Sequence, residues 1–378
     1  MRVGPSMLRK KKPGIIYLVL LFPLALTVAY LASRFPDAVE LYYSRYLYRF
    51  LSQAISSATG ILPFSVAEVM VVLVVILTAA GVVYGAVRLI KSPGKRMILL
   101  IRQLATLAVA ASVVYFSFIA VWGLNYHRVS IASIANLEVR AVSVEELEVL
   151  CRYLIERANG LRELVKEDQN GVMVSPEGSS DMLKRAYKGY QAAAIIYPEL
   201  GGRYGRPKGV MLSKVLSYQG IGGIYFPFTG EANVNISEPH FMIPFTASHE
   251  MAHQRGFARE DEANYIGYLA SIMHSDPDFR YSGTMVALQY SMNALARQDR
   301  ERYNSLKGEY SDGMVRDFNA WNEHCRKYEG FVRETTDRIN DAYLQANAQS
   351  DGIQSYGRMV DLLLAHYRDV TKVSGSVQ

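Results

Sequence analysis

The sequence predicts an α-helical membrane region of three spans, residues 1–123, followed by a mainly α, α+β domain, residues 124–378, with a small irregular antiparallel sheet. Three observations lead there. Three long uncharged apolar runs crowd the first 123 positions; charged residues in helical periodicity dominate the rest; and Gly201 to Pro244 switches to glycine, proline and β-formers. Half of the 378 residues are hydrophobic, and their uneven spread separates a membrane part from a soluble part.

Gly14 to Ala32 (GIIYLVLLFPLALTVAYLA) follows Arg9, Lys10, Lys11 and Lys12 and is long enough to cross a hydrocarbon core of roughly 30 Å. A cleaved signal peptide is the competing reading of this first run, but the run is longer than the apolar part of such a peptide. Val69 to Val87 and Leu104 to Trp122 are equally uncharged, and neither shows the polar stripe of a soluble helix. The positive residues lie before span one and between spans two and three (Arg88, Lys91, Lys95, Arg96, Arg102), which puts both segments in the cytoplasm. The formal charge of +6 is therefore a matter of topology, and no nucleic-acid signature accompanies it. The tyrosine-rich centre of the loop from Ser33 to Glu68 reads as a helix lying in the lipid interface. Three spans leave everything after Trp122 extracytoplasmic, in a multi-pass protein of the cell membrane.

The soluble part shows no internal repeat. Ser143 starts a helix with Glu145 and Glu146 in its first turn and Val144, Leu147, Leu150, Leu154 and Ile155 on its apolar face. Short strands are expected around turns at Gly220 to Gly223 and at Gly230, with Gly230 to Ser237 (GEANVNIS) as a candidate edge to receive an extended peptide. Beyond Glu260 the pattern is helical to about Arg368, with breaks near Asp276-Pro277, Ser311 to Gly313 and Ser350 to Gly352. Cys151 and Cys325 are too far apart in sequence for a CxxC metal cluster, though outside the cytoplasm they could form one bridge.

The segment PFTASHEMAHQRGFAREDEAN carries the chemistry. His249 and His253, four residues apart, share one face of a helix and can hold one zinc ion, and Glu250 projects about 100° around the helix toward a metal-activated water as its general base. Pro244 suits the start of that helix and Gly256 its end. A catalytic zinc takes three protein ligands and leaves a position open. The third is Glu260, with Asn264 four residues on to orient a histidine, or its rival Glu262. For an electrophile beside the site Tyr356 comes first and Arg358 second. His240, His274, His324 and His366 read as surface or structural histidines and not as ligands, and His127 as interfacial.

HExxH followed by ExxAN resembles the glutamate-zincin metallopeptidases, including the CAAX prenyl protease group, in which the first acid of the second motif is the third ligand; the resemblance implies Glu260. The longer pattern GIYFPFTGEANVN, HEMAHQRGFAREDEAN and SYGRM is similar to an uncharacterised bacterial integral-membrane family of zinc-metallopeptidase type, over nearly the whole chain. It implies a zincin-like fold for residues 124–378, Zn2+ as cofactor, and a peptide or protein substrate met beside membrane lipid. The connector from His253 to Glu260 is shorter than in many glutamate zincins. The metzincin pattern is excluded because Arg259 stands where its third histidine falls. Intramembrane proteolysis does not fit either, since His249 comes 127 residues after Trp122 in polar sequence. The alternative from another class is a zinc-stabilised membrane sensor or scaffold with a closed site.

Overall fold

The computed structural model describes residues 13–347, 349 and 358–375. Three of its helices are long and apolar enough to cross a membrane: Tyr17–Arg34, Val66–Lys91 and Pro93–Val121. The first consists of a 3-10 stretch, Pro13–Leu20, running into α1, Leu21–Arg34. A π-helical stretch, Val39–Tyr48, then continues into α2, Arg49–Gly60, with Tyr42, Tyr46 and Phe50 exposed. The other spans are α3, Val66–Lys91, capped by the Ser65 hydroxyl, and α4, built on Arg96–Val121. Both are longer than their uncharged cores, which Glu68 and Arg88 bound on α3 and Arg102 bounds on α4. Helix α4 packs against α1 and α3, and the rest of the chain covers almost none of the spans' surface.

Helix α5, Val144–Arg162, begins with the expected capping box between Ser143 and Glu146. Leu147, Leu150, Leu154 and Ile155 enter the main core, with Val144 packed at its margin. Next come the short α6, Ser213–Gln219, and the two central helices α7, Ile243–Gln254, and α8, Glu260–Ile272. Helix α9, Pro277–Gln298, packs on α5, α7 and α8 and closes the core. Outside it runs α10, Phe331–Ala346, whereas α11, Met359–Gly375, adds Met359, Leu363 and Leu364 to the core against α5, α8 and α9. The breaks at Pro277 and Ser311 are where the sequence places them, the second because Ser311 caps the next helix through the Met314 amide. The break at Ser350 to Gly352 falls outside the described residues. Two further breaks follow from an Asp299 cap and from Gly330, whose φ is +143°.

The sheet corrects two expectations. It has three strands, β1 (Lys208–Gly209), β2 (Gly223–Phe226) and β3 (Glu231–Val234), in the order β1-β3-β2. It is mixed rather than antiparallel. The β2-β3 hairpin is antiparallel, whereas β1, separated from it by α6, joins the far side of β3 in parallel, Lys208 opposite Asn233. Consequently Gly230 to Ser237 supplies the central, wholly buried strand and no edge. The edges are β1 and β2, and β2 is the longer of the two. Cys151 and Cys325 are unpaired: Cys151 lies in the core, where burial pushes its thiol up to about 12, and Cys325 lies by Arg333 and Glu238.

Candidate metal centre

Helix α7 starts with Pro244 in its first turn and ends at Gly256, whose φ of +83° favours glycine and whose absent Cβ leaves room for the Tyr48 ring, 2.8 Å from where that atom would sit. The chain therefore turns sharply and brings Glu260, first residue of α8, back to the histidines. His249 Nε2 and His253 Nε2 are 3.1 Å apart, and Glu260 Oε2 lies 3.2 Å from the first and 3.6 Å from the second. The edges of a tetrahedron around an ion with bonds of roughly 2.0–2.1 Å measure about 3.3–3.4 Å, so the three atoms are spaced to share one zinc-sized ion.

The chemistry of the donors fits as well. His253 Nδ1 is 2.7 Å from the Phe257 carbonyl, so Nδ1–H donates to it and the neutral ring turns its Nε2 lone pair toward the cluster. His249 Nδ1 is buried without a hydrogen-bond partner among the described residues, and Glu260 Oε2 is buried with the two imidazoles beside it. All three ligands are buried. Burial opposes a charged His253, but the Glu260 carboxylate outweighs it and pushes its pKa up to about 9. Burial likewise opposes a charged Glu260, whose pKa the two histidines nonetheless hold far below the usual carboxylate range. In the absence of a cation these groups supply their own proton.

Glu250, also buried, has its pKa raised by desolvation, against the pull of the neighbouring histidines. The Tyr225 backbone amide hydrogen-bonds its carboxylate, and its Oε2 has no partner among the described residues. Strand β2 can lie this close because residue 223 is glycine: a Cβ there would stand 2.6 Å from Glu250 Oε1 and 2.9 Å from the Asn233 carbonyl oxygen.

Glu262 turns away from the cluster, accepting from the Ile131 amide at 2.9 Å and from the Arg259 guanidinium at 2.5 Å. Asn264 hydrogen-bonds the Tyr290 phenol, which feels the charge of Glu260. Tyr356 lies outside the described residues, and Arg358 Nε is 3.7 Å from an Asp261 carboxylate oxygen. The four histidines read as surface or structural have other partners: His240 accepts from the Ser175 amide, His274 stacks on Phe279, His324 on Trp321, and His366 meets the Tyr265 hydroxyl.

Sequence reasoning missed the aromatic wall. The Tyr48 hydroxyl donates to the carbonyl of His253, and Ser52 donates to that of Gln254. Trp122, at the end of α4, meets the His253 ring edge to face at 5.9 Å. Over the other side, the Tyr126 and Tyr343 phenols are 2.9 Å apart, and Gln349 Oε1 accepts from the Glu260 amide. With 26 tyrosines in the chain, spacing cannot single these out: Tyr48 and Ser52 lie in the stretch read as an interfacial helix and Trp122 ends the third apolar run, and neither reading ties them to the histidines.

A family model described as "Protein of unknown function (DUF3810)" matches residues 43–364, which include every residue of this cluster and its wall. No curated protein and no solved structure matches the chain.

Proposed function

The chain belongs to the DUF3810 family of unknown function, and we propose that it is a membrane-anchored, zinc-dependent peptidase of glutamate-zincin type, its soluble part extracytoplasmic. The observation that carries this reading is the convergence of His249, His253 and Glu260 beside a buried, half-satisfied Glu250. The two imidazoles and one carboxylate would hold the ion. When bound, zinc supplies Lewis acidity, polarising a scissile carbonyl and lowering the pKa of water. Glu250 takes the proton of the attacking water on its free carboxylate oxygen and passes it to the leaving amine. A carboxyl whose pKa burial has raised is suited to both roles. Strand β2 is the edge strand that lies beside Glu250 and offers a backbone to which an extended peptide can add.

The second reading, a closed zinc site in a sensor or scaffold, is favoured by the burial of all three ligands. It requires a fourth protein ligand, and among the described residues no further His, Cys, Asp or Glu joins the cluster. The test is to purify the full chain and its Glu250→Gln variant, measure zinc content, and assay cleavage of a peptide library. Both proteins are expected to retain one zinc, with cleavage by the variant down by about 10²–10⁴-fold. Undiminished cleavage by the variant would refute the assignment of Glu250; a zinc-loaded parent that cuts nothing would favour the closed site.

A further inference from the structure

The uncharged segment of α4, Leu104 to Trp122, has 19 residues, about 28 Å at 1.5 Å per residue, which matches the roughly 30 Å of a hydrocarbon core. With Arg102 at one boundary, Trp122 marks the other. In α3 the uncharged segment runs between Glu68 and Arg88 and is of similar length, so Glu68 marks that same far boundary on an antiparallel neighbour. Both markers are fastened to the metal centre. Trp122 packs on His253 at 5.9 Å. Glu68 accepts from the Met211 and Leu212 amides where the chain leaves β1 for α6. The first turn of α3 is held by β3 itself: Glu231 accepts from the Val66 and Ala67 amides at 3.1 and 2.8 Å, and the Ser65 hydroxyl lies 2.6 Å from Asn233 Oδ1. The same β3 carries β2 beside Glu250.

Large apolar side chains are exposed at this level. Ile61 before α3 is 83% exposed, Met211 71%, Tyr42 72% and Phe50 70%. These side chains lie on separate segments that all flank the span ends, where aromatic and aliphatic groups meet the interface.

We infer that the metal centre is held at the bilayer surface and takes as substrate the juxtamembrane segments of membrane-anchored polypeptides. This rests on the peptidase reading and adds to it the source of the chain that is cut. The headgroup region accounts for roughly 5–8 Å on each side of the core, and a ring 5.9 Å from Trp122 lies within or just above it. Because ten extended residues span about 35 Å, the scissile bond falls within about ten residues of the substrate's anchor. A freely diffusing peptide gains nothing from this placement, whereas an anchored one is concentrated at the site.

The experiment uses the zinc-loaded full chain in phosphatidylcholine–phosphatidylglycerol vesicles with a randomised cleavage cassette presented in three ways: five residues from a transmembrane helix, forty residues from it, and as a soluble peptide. Cleavage read by mass spectrometry is expected to be about tenfold or more faster for the near-anchor cassette than for the other two, and lost in Glu250→Gln. Soluble and near-anchor cassettes cut equally fast would overturn this substrate class and leave the peptidase reading standing. No cleavage in any arm would overturn the peptidase reading, and the substrate class with it. A second measurement is independent of activity. Trp321→Phe leaves Trp122 as the only tryptophan; its fluorescence is expected to be quenched by lipids spin-labelled near the headgroup and by Co2+ loaded into the site. Co2+ quenching without lipid quenching would place the centre away from the bilayer and overturn the inference.

Discussion

His253 shows how one side chain is fitted to two states. Its Nδ1 is committed to the Phe257 carbonyl and its Nε2 faces both His249 and Glu260. Without a cation, the carboxylate holds a proton on this ring up to about pH 9, against the desolvation that burial imposes. Zinc needs the neutral ring, so binding displaces that proton. The sign follows directly: the raised pKa keeps His253 charged at pH 7, so loading there is expected to release about one proton per zinc, with release falling away above pH 9. Zinc affinity is expected to rise about tenfold per pH unit up to that point. Titration calorimetry in buffers of different ionisation enthalpy measures the release, and none at pH 7 would contradict the arrangement. The histidine pair and Glu250 were legible at this scale, because HExxH fixes them on one helix whatever surrounds it. The choice of Glu260 over Glu262 was not legible from spacing. It depends on the Gly256 turn and on Ile131 and Arg259 occupying Glu262, and Ile131 is remote in sequence.

Among the elements, strand β2 is decisive because it runs within contact of the carboxylate proposed as the base, Glu250. Gly223→Ala places a methyl 2.6 Å from Glu250 Oε1 and 2.9 Å from a backbone oxygen, so either Glu250 or the strand must shift. Displacement of a reacting group by about an ångström lowers turnover by about 10²-fold. Gly223→Ala is therefore expected to retain zinc and lose cleavage by about 10–100-fold; unchanged turnover would show that β2 does not position Glu250. The helices could be read from the sequence wherever caps and periodicity agree, as at Ser143. The sheet could be read only as a region. Strands of two to four residues carry too little alternation to reveal their order, and a two-residue β1 gives no sign that it joins β3 in parallel.

At the scale of the whole molecule, contacts between the candidate spans and the soluble part run from the ends of α3 and α4 into β3, α7, α10 and the chain between β1 and α6. The three apolar runs could be found by hydropathy alone. Their union with the site could not, since it rests on long-range contacts such as Ser65 with Asn233 and Trp122 with His253. The proposed orientation is tested by introduced cysteines in a Cys325→Ser background, in which the remaining Cys151 is buried in the core. In intact cells an impermeant thiol reagent is expected to label Asn170→Cys in the soluble part and to spare Ser92→Cys between α3 and α4; the reverse pattern would invert the topology. The central claim is the zinc centre, and X-ray absorption at the zinc edge of the purified full chain tests it most directly. One zinc per chain is expected, with two imidazole nitrogens at about 2.0–2.1 Å, carboxylate oxygen and one non-protein oxygen. A chain that binds no zinc, or a zinc closed by four protein ligands, would contradict it.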